Sequence, residues 1–268
     1  MTTNLWNKGV LVYVKAGVWS MEARLEAEDI GKEIHEIPDY VSLGYKRLFD
    51  KKTYNNFSRI VSNARASLQK YGFSFFLVGT HFVPTTSIPN LVPVLQRCKE
   101  DFYAQTESFL DEYEEKKEEF LSQYPQDREI LEPFYPDRDI VQNKFYFEVY
   151  SYTVDSAPQS VNFDGLLSSM NEDMYVDWAT GTANDLRKEA REVADSLSSA
   201  VELGTLDGRK MRRVRTLVDR VVSMDLAEDP GLKRAALGAL EKPSVNSFQV
   251  LKKAASTINK SAVRKVIL

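Results

Sequence analysis

A single cysteine, Cys98, leaves the chain unable to form an internal disulfide or a cysteine-based metal site and makes a reducing compartment the expected setting. Histidine is nearly as scarce: His35 and His81 stand 46 residues apart, and no H-E-x-x-H sequence places two imidazoles on one helix face. No G-x-x-x-x-G-K-S/T loop and no strand-borne G-x-G-x-x-G is present, so the usual backbone cradles for nucleotide phosphates are missing. The G-x-S-x-G elbow and the D-x-S-x-S metal-dependent adhesion sequence are absent too. Apolar runs stay short, and Phe75-Phe76-Leu77-Val78 is far from the length that spans a bilayer. Residues Met1 to Lys8 lack a basic stretch followed by an apolar run, so no secretory signal is read and a cytoplasmic protein is expected. With no catalytic, cofactor or metal motif in view, the expectation is a non-enzyme without cofactor.

What the chain does have is a division of charge. Residues 209–268 carry fourteen Lys/Arg against five Asp/Glu, a balance of +9 that leaves −13 for the remainder of a chain totalling −4. Such asymmetry speaks about partners and not about fold. At 43% hydrophobic and 28% charged the composition is that of an ordinary globular protein, and 268 residues suffice for one large domain or two of common size.

Periodicity predicts an α+β class, mostly helical: a small antiparallel sheet packed on a long helix, followed by a helical C-terminal segment. Val10 to Val14 reads as a strand, and Val18 to Leu25 alternates apolar and polar residues across a turn at Lys15-Ala16-Gly17. A helix is expected over 51–71, capped by Asp50 and stopped by a left-handed Gly72. Phe73 to Val83 reads as one buried strand. From 87 to 124 the stripe Ile88, Leu91, Leu95, Cys98, Phe102, Thr106, Phe109, Tyr113, Lys117, Phe120 and Tyr124 takes ten steps over 36 residues, the 3.6 period of a straight helix. Such a helix is roughly 55 Å long. A short helix near 138–143 and an aromatic strand over 145–154 follow, and the stretch from Asp155 to Asn162 is the best linker candidate. Helices are then expected over 163–175, 183–203, 209–224, 232–240 and 246–267. The domain division falls at 157/158: an α+β domain over 1–157 containing the long helix, and a basic helical segment over 158–268.

Two surfaces stand out as candidates for assembly. Phe109, Tyr113, Phe120 and Tyr124 extend the long stripe past what one domain is expected to cover, with Glu107, Asp111, Glu114 and Glu118 on the opposite face. On the C-terminal helices a basic face of Arg209, Arg213, Arg220, Lys253, Lys260 and Arg264 lies opposite apolar stripes. Three readings of that face stay open: a solvated surface, a dock for an acidic protein and a nucleic-acid contact, the last disfavoured by a pI near 5.5. Asp173 and Asp177 share a helical face, a spacing common on solvated helices and weak as a metal signal. His81 is expected as a core or edge histidine satisfied by one hydrogen bond, and Cys98 as a packed small hydrophobe.

Read in order, Asp29-Ile30-Gly31, Leu43-Gly44, Lys46-Arg47-Leu48, an Arg-bearing helix ending Tyr71-Gly72-Phe73, Gly79 to Pro84, the long helix with Phe102, Phe109 and Tyr113, Arg138 to Val141 and Phe145 to Val154 resemble an uncharacterised bacterial and phage family known only as a domain of unknown function. The resemblance implies context: such proteins occur beside MoxR-like or cobaltochelatase-like AAA+ ATPases and von Willebrand factor A proteins. It implies no catalytic residues. The expected function is a non-enzymatic adaptor or structural subunit, assembling with itself as a homo-oligomer or with a MoxR-type AAA+ ATPase and a von Willebrand factor A protein. The alternative is a nucleic-acid-binding protein using the basic helices.

Overall fold

The computed structural model describes residues 8–38, 40–153, 165–223 and 229–256. It is 65% helical with a small antiparallel four-stranded sheet and a helical C-terminal segment, the α+β class expected. Among the described residues the strands are β1 (Gly9–Gly17), β2 (Glu22–Arg24), β3 (Tyr45–Arg47), β4 (Phe73–Ser74), β5 (Thr80–Pro84) and β6 (Tyr146–Tyr152). The helices are α1 (Lys51–Tyr71), α2 (Ile88–Asp111), α3 (Tyr113–Gln123), α4 (Arg128–Leu131), α5 (Arg138–Gln142), α6 (Gly165–Glu202), α7 (Gly208–Ser223), α8 (Pro230–Glu241) and α9 (Val245–Ala255). The sheet runs in the order β4, β5, β1, β6, and β2 pairs with β3 in a separate ribbon. β5 is antiparallel to β1, with Val12 opposite His81, and to β4, with Phe73 opposite Phe82.

The chain divides into two compact units, each assembled from separate stretches: a first of Met1–Tyr13, Ser67–Val92 and Ser151–Leu268, and a second of Val14–Ala66 and Pro93–Tyr150. The first unit thus combines the start of β1 and the β4 and β5 segment with the C-terminal stretch from Ser151.

In the first unit α6 packs against α7 and α9, and α8 against α7 and α9. Val214, Leu217, Val218 and Val221, three or four residues apart, turn one face of α7 into the core. They meet Val193 and Leu197 of α6, Leu232 of α8 and Phe248 and Leu251 of α9, while Ala190, Ala194, Ala236 and Ala239 let the helix backbones approach. Each buried aliphatic or aromatic side chain stabilises by about 1.5–3 kcal/mol relative to exposure. The helix starts are fixed locally: the Asp229 carboxylate accepts from the Gly231 and Leu232 amides, and Ser244 and Ser247 form a reciprocal capping box. A second cluster joins Leu11, Phe73, Phe75 and Phe82 to Ala179 and Leu186 of α6, and the Trp178 indole N–H donates to the Ser74 carbonyl at 2.6 Å.

Two expectations change here. Phe73 to Val83 is a hairpin and not one strand: Phe75 N–H donates to Thr80 O at 2.9 Å and Thr80 N–H to Leu77 O at 3.0 Å, with Gly79 at φ +76 supplying the left-handed turn. The helices expected over 163–175 and 183–203 are one, α6. Gly181 costs such a helix roughly 1 kcal/mol, which the burial of Ala179, Thr182 and Ala183 around it offsets.

The core of the second unit is aromatic. Phe57 lies 5.7 Å from Phe102 and 4.8 Å from Phe145, Phe109 lies 5.4 Å from Phe49, and Trp19 packs edge-on to Phe49 at 5.6 Å. The Tyr113 hydroxyl donates to the Pro136 carbonyl at 2.7 Å and the Tyr135 hydroxyl to the Leu48 carbonyl. The long helix expected over 87–124 is interrupted once, at Glu112 (φ −95, ψ 10), yet Glu112 N–H still donates to Ser108 O and Lys116 N–H to Glu112 O, so its path continues. Burial alternates from Trp19 to Arg24 as expected, but only Glu22–Arg24 pair as a strand, because Met21 sits at φ 58. Lys15, Ala16 and Gly17 belong to β1 and form no turn.

Candidate functional site

Among the described residues of the first unit, α7 carries a dense run of exposed charge. Its sequence places Val214, Leu217 and Val218 inward and leaves Arg209, Arg212, Arg213 and Arg215 exposed. Arg212, Arg213 and Arg215 form no ion pair within 4.0 Å among the described residues. At the helix start the Asp207 carboxylate accepts from the Lys210 amide, a bond that holds its pKa below the ordinary value, and the Lys210 ammonium turns back onto Thr205. Between α7 and α6 lies a shallow groove of about 300 Å³ lined by Arg209, Arg212, Arg213 and Thr216 on one side and Glu189, Glu192 and Val193 on the other. Arginines and carboxylates therefore face each other across it.

Not all the expected basic face is available. Arg209, Arg213 and Lys253 are exposed. Arg220 is turned inward, its guanidinium 3.2 Å from Glu189 and over the Phe73 ring at 5.1 Å, so it is a packing residue. Lys260 and Arg264 lie outside the described residues. Lys252, absent from the sequence reading of this face, is tied to Asp195 at 2.6 Å.

The aromatic and acidic stripe of the second unit resolves differently. Phe109, Tyr113 and Phe120 are buried within the unit and only Tyr124 stays 45% exposed. Phe120 and Leu121 pack with Leu131, and Tyr135 covers them, so the chain itself supplies the cover that a partner was expected to provide. The acids are largely engaged as well. Asp111 pairs with Arg138 at 3.0 Å, Glu114 with Lys117 at 3.7 Å, and Glu118 takes both arms of the Arg128 guanidinium at 2.9 and 3.0 Å, which holds its pKa low. Glu107 remains exposed.

The DUF3150 family of proteins of unknown function matches residues 7–224. The chain belongs to that family. The matched span runs through α6 and the whole of α7, so the arginine groove lies within the DUF3150 region while α8 and α9 lie beyond it. No curated protein and no solved structure matches the chain.

Two further groups singled out in the sequence are buried. Cys98 packs in α2, and burial pushes its thiol pKa up, the environment of an inert thiol. His81 is enclosed in β5, yet among the described residues neither ring nitrogen makes a hydrogen bond of good geometry, contrary to the single bond expected, and a polar influence on the ring comes from the Gly79 backbone. Burial lowers its pKa, an effect the Gly79 backbone partly opposes. The Asp173 side chain lies outside those described, and Asp177 is exposed. Among the described residues no three His, Cys, Asp or Glu side chains converge as a metal site, and no helix is long and apolar enough to cross a membrane.

Proposed function

We propose that this DUF3150 protein is a non-enzymatic adaptor that docks a protein partner on the groove between α6 and α7. The observation that carries the reading is that exposed Arg209, Arg212 and Arg213 face Glu189 and Glu192 across one groove. Guanidinium forks favour planar carboxylates or phosphates, but the two glutamates oppose a run of phosphates and suit a surface of mixed charge. A MoxR-type AAA+ ATPase or a von Willebrand factor A protein, the neighbours implied by the resemblance, is the partner we favour. Docking on the acidic stripe of a second copy is less well supported, since Asp111, Glu114 and Glu118 already have cations of their own.

The test is direct binding of the neighbouring ATPase to the parent and to the Arg209→Glu/Arg213→Glu double variant. Loss of about tenfold or more in affinity, with a moderate weakening as salt rises from about 0.05 M to 0.5 M, is the expected result. Tight DNA or RNA binding that collapses over the same salt range, and is lost in the double variant, would instead establish the nucleic-acid reading.

A further inference from the structure

The segment from Tyr71 to Gln96 contains no Lys, Arg, Asp or Glu. Phe73, Phe75 and Thr80 to Pro84 within it are buried, but the tip of the hairpin between β4 and β5 is apolar and projects into solvent: Phe76 is 38% exposed, Leu77 53% and Val78 98%. The tip is held in shape. Gly79 at φ +76 and the two bonds between Phe75, Leu77 and Thr80 fix its backbone, and Phe76 is pinned 4.0 Å from the Phe75 ring and 5.6 Å from Tyr175. A knob ordered before contact loses little entropy on docking.

The second unit contains a matching recess. A cleft of about 340 Å³ has Leu25, Phe49, Phe120, Tyr124, Ile130 and Leu131 as apolar walls. Its charged lining is balanced, with Lys46, Arg47 and Lys51 against Asp29, Asp50 and Asp127. The Lys46 ammonium is already engaged by Asp29 and by the face of the Phe134 ring. A lining balanced in this way calls for no net charge on the occupant, and the volume is at the small end of ligand clefts, suited to one or two side chains.

We propose that the hairpin tip of one copy, led by Leu77 and Val78, seats in this cleft of a second copy. The charge of the two units favours such a head-to-tail contact. The first unit carries nineteen Lys/Arg against sixteen Asp/Glu, a net +3, and the second sixteen against twenty-three, a net −7. First unit against second is attractive, whereas second against second is repulsive. Knob and recess are different surfaces, so the contact is heterologous and propagates into a ring or a filament. This goes beyond the adaptor reading and uses other residues, so either can fail alone.

Sedimentation of the full chain over a range of concentrations is the test, with Val78→Asp as the knob variant and Ile130→Glu as the recess variant. Val78 is almost fully exposed and Ile130 37% exposed, so neither substitution opens the core, and unchanged melting confirms it. The parent is expected to grow in mass with concentration. Each variant alone should associate at least about tenfold more weakly, and an equimolar mixture should stop at dimers, because one intact knob still meets one intact recess. If Ile130→Glu melts early, Tyr124→Lys, at a position 45% exposed, replaces it. A parent that stays monomeric, or a mixture no larger than its components, overturns the proposal. So does binding of the parent to neutral phosphatidylcholine vesicles that Val78→Asp abolishes while self-association persists, which would assign the tip to a lipid surface. Retention of ATPase binding by Val78→Asp separates this contact from the arginine groove.

Discussion

Arg187 and Asp229 are unequal members of one ion pair. The Arg187 side chain is 3% exposed and donates through Nη2 to Asp229 at 2.8 Å, while its Nε has no acceptor among the described residues; Asp229 is 27% exposed and also caps α8. Removing the acid strands a buried guanidinium and uncaps a helix. Removing the arginine leaves a partly exposed carboxylate that still accepts from two amides. Asp229→Ala is therefore expected to cost about 3–5 kcal/mol and Arg187→Leu distinctly less, a difference that denaturant titration reads directly. Reversal of that order would mean that Asp229 contributes through the cap alone. Tyr113 offers a gentler case: its hydroxyl sits in a core where burial raises its pKa, and it donates to the Pro136 carbonyl. Tyr113→Phe should cost about 1–3 kcal/mol, the price of leaving that carbonyl unpaired, with the fold unchanged by circular dichroism.

At the level of the element, β5 carries an imidazole whose two nitrogens make no hydrogen bond among the described residues. In the unfolded chain His81 takes up a proton near pH 6.5, and burial lowers that value in the fold. Below 6.5 the unfolded state therefore binds more protons. The contribution is complete above that pH and is lost as pH falls from 6.5 toward the folded pKa. Comparing the parent with His81→Phe isolates it from the carboxylates: the gap in denaturant midpoint should be constant above about pH 7 and shift against the parent toward pH 5. Parallel curves would show that the ring finds a partner when protonated. The same hairpin shows where sequence reading stopped. The run from Phe73 to Val83 is apolar enough to pass for one buried strand, because hydropathy does not register a left-handed glycine at position 79. Gly72 was expected to take that conformation and does not; it is required because a Cβ there would meet the Phe82 carbonyl at 2.9 Å. α1, by contrast, was legible to the residue, since Phe57, Val61, Ala64 and Leu68 recur at helical spacing and all are buried.

Across the whole molecule, periodicity identified which faces are apolar but not what covers them. The stripe through Phe109, Tyr113 and Phe120 reads equally as an interface or as a core, and residues distant in sequence decide for the core: Phe49 beside Phe109 and Tyr113, and Leu131 and Tyr135 over Phe120. Arg213 was legible as surface and Arg220 was not, because Glu189 lies on another helix and no spacing rule connects them. The C-terminal helices give the prediction at this scale. α8 and α9 lie outside the family span but contribute Leu232, Ala236, Ala239, Phe248 and Leu251 to the core that α6 and α7 share. A chain ending at residue 224 should expose Leu197, Val214 and Val218, bind a hydrophobic dye and aggregate. A soluble, cooperatively melting product of that length would show that the DUF3150 span folds without them.

The interleaving of the two units has a consequence for the order of events on the ribosome. Every residue of the second unit has been made once Tyr150 is added, whereas the first unit waits for its largest piece, the 118 residues from Ser151 to Leu268. At about 5–20 residues per second that wait is roughly 6–24 s. Throughout it the uncharged stretch around the hairpin is made without α6 to lie on, and any chaperone that attends this protein during synthesis should find a landing site there, on Phe73 to Val83.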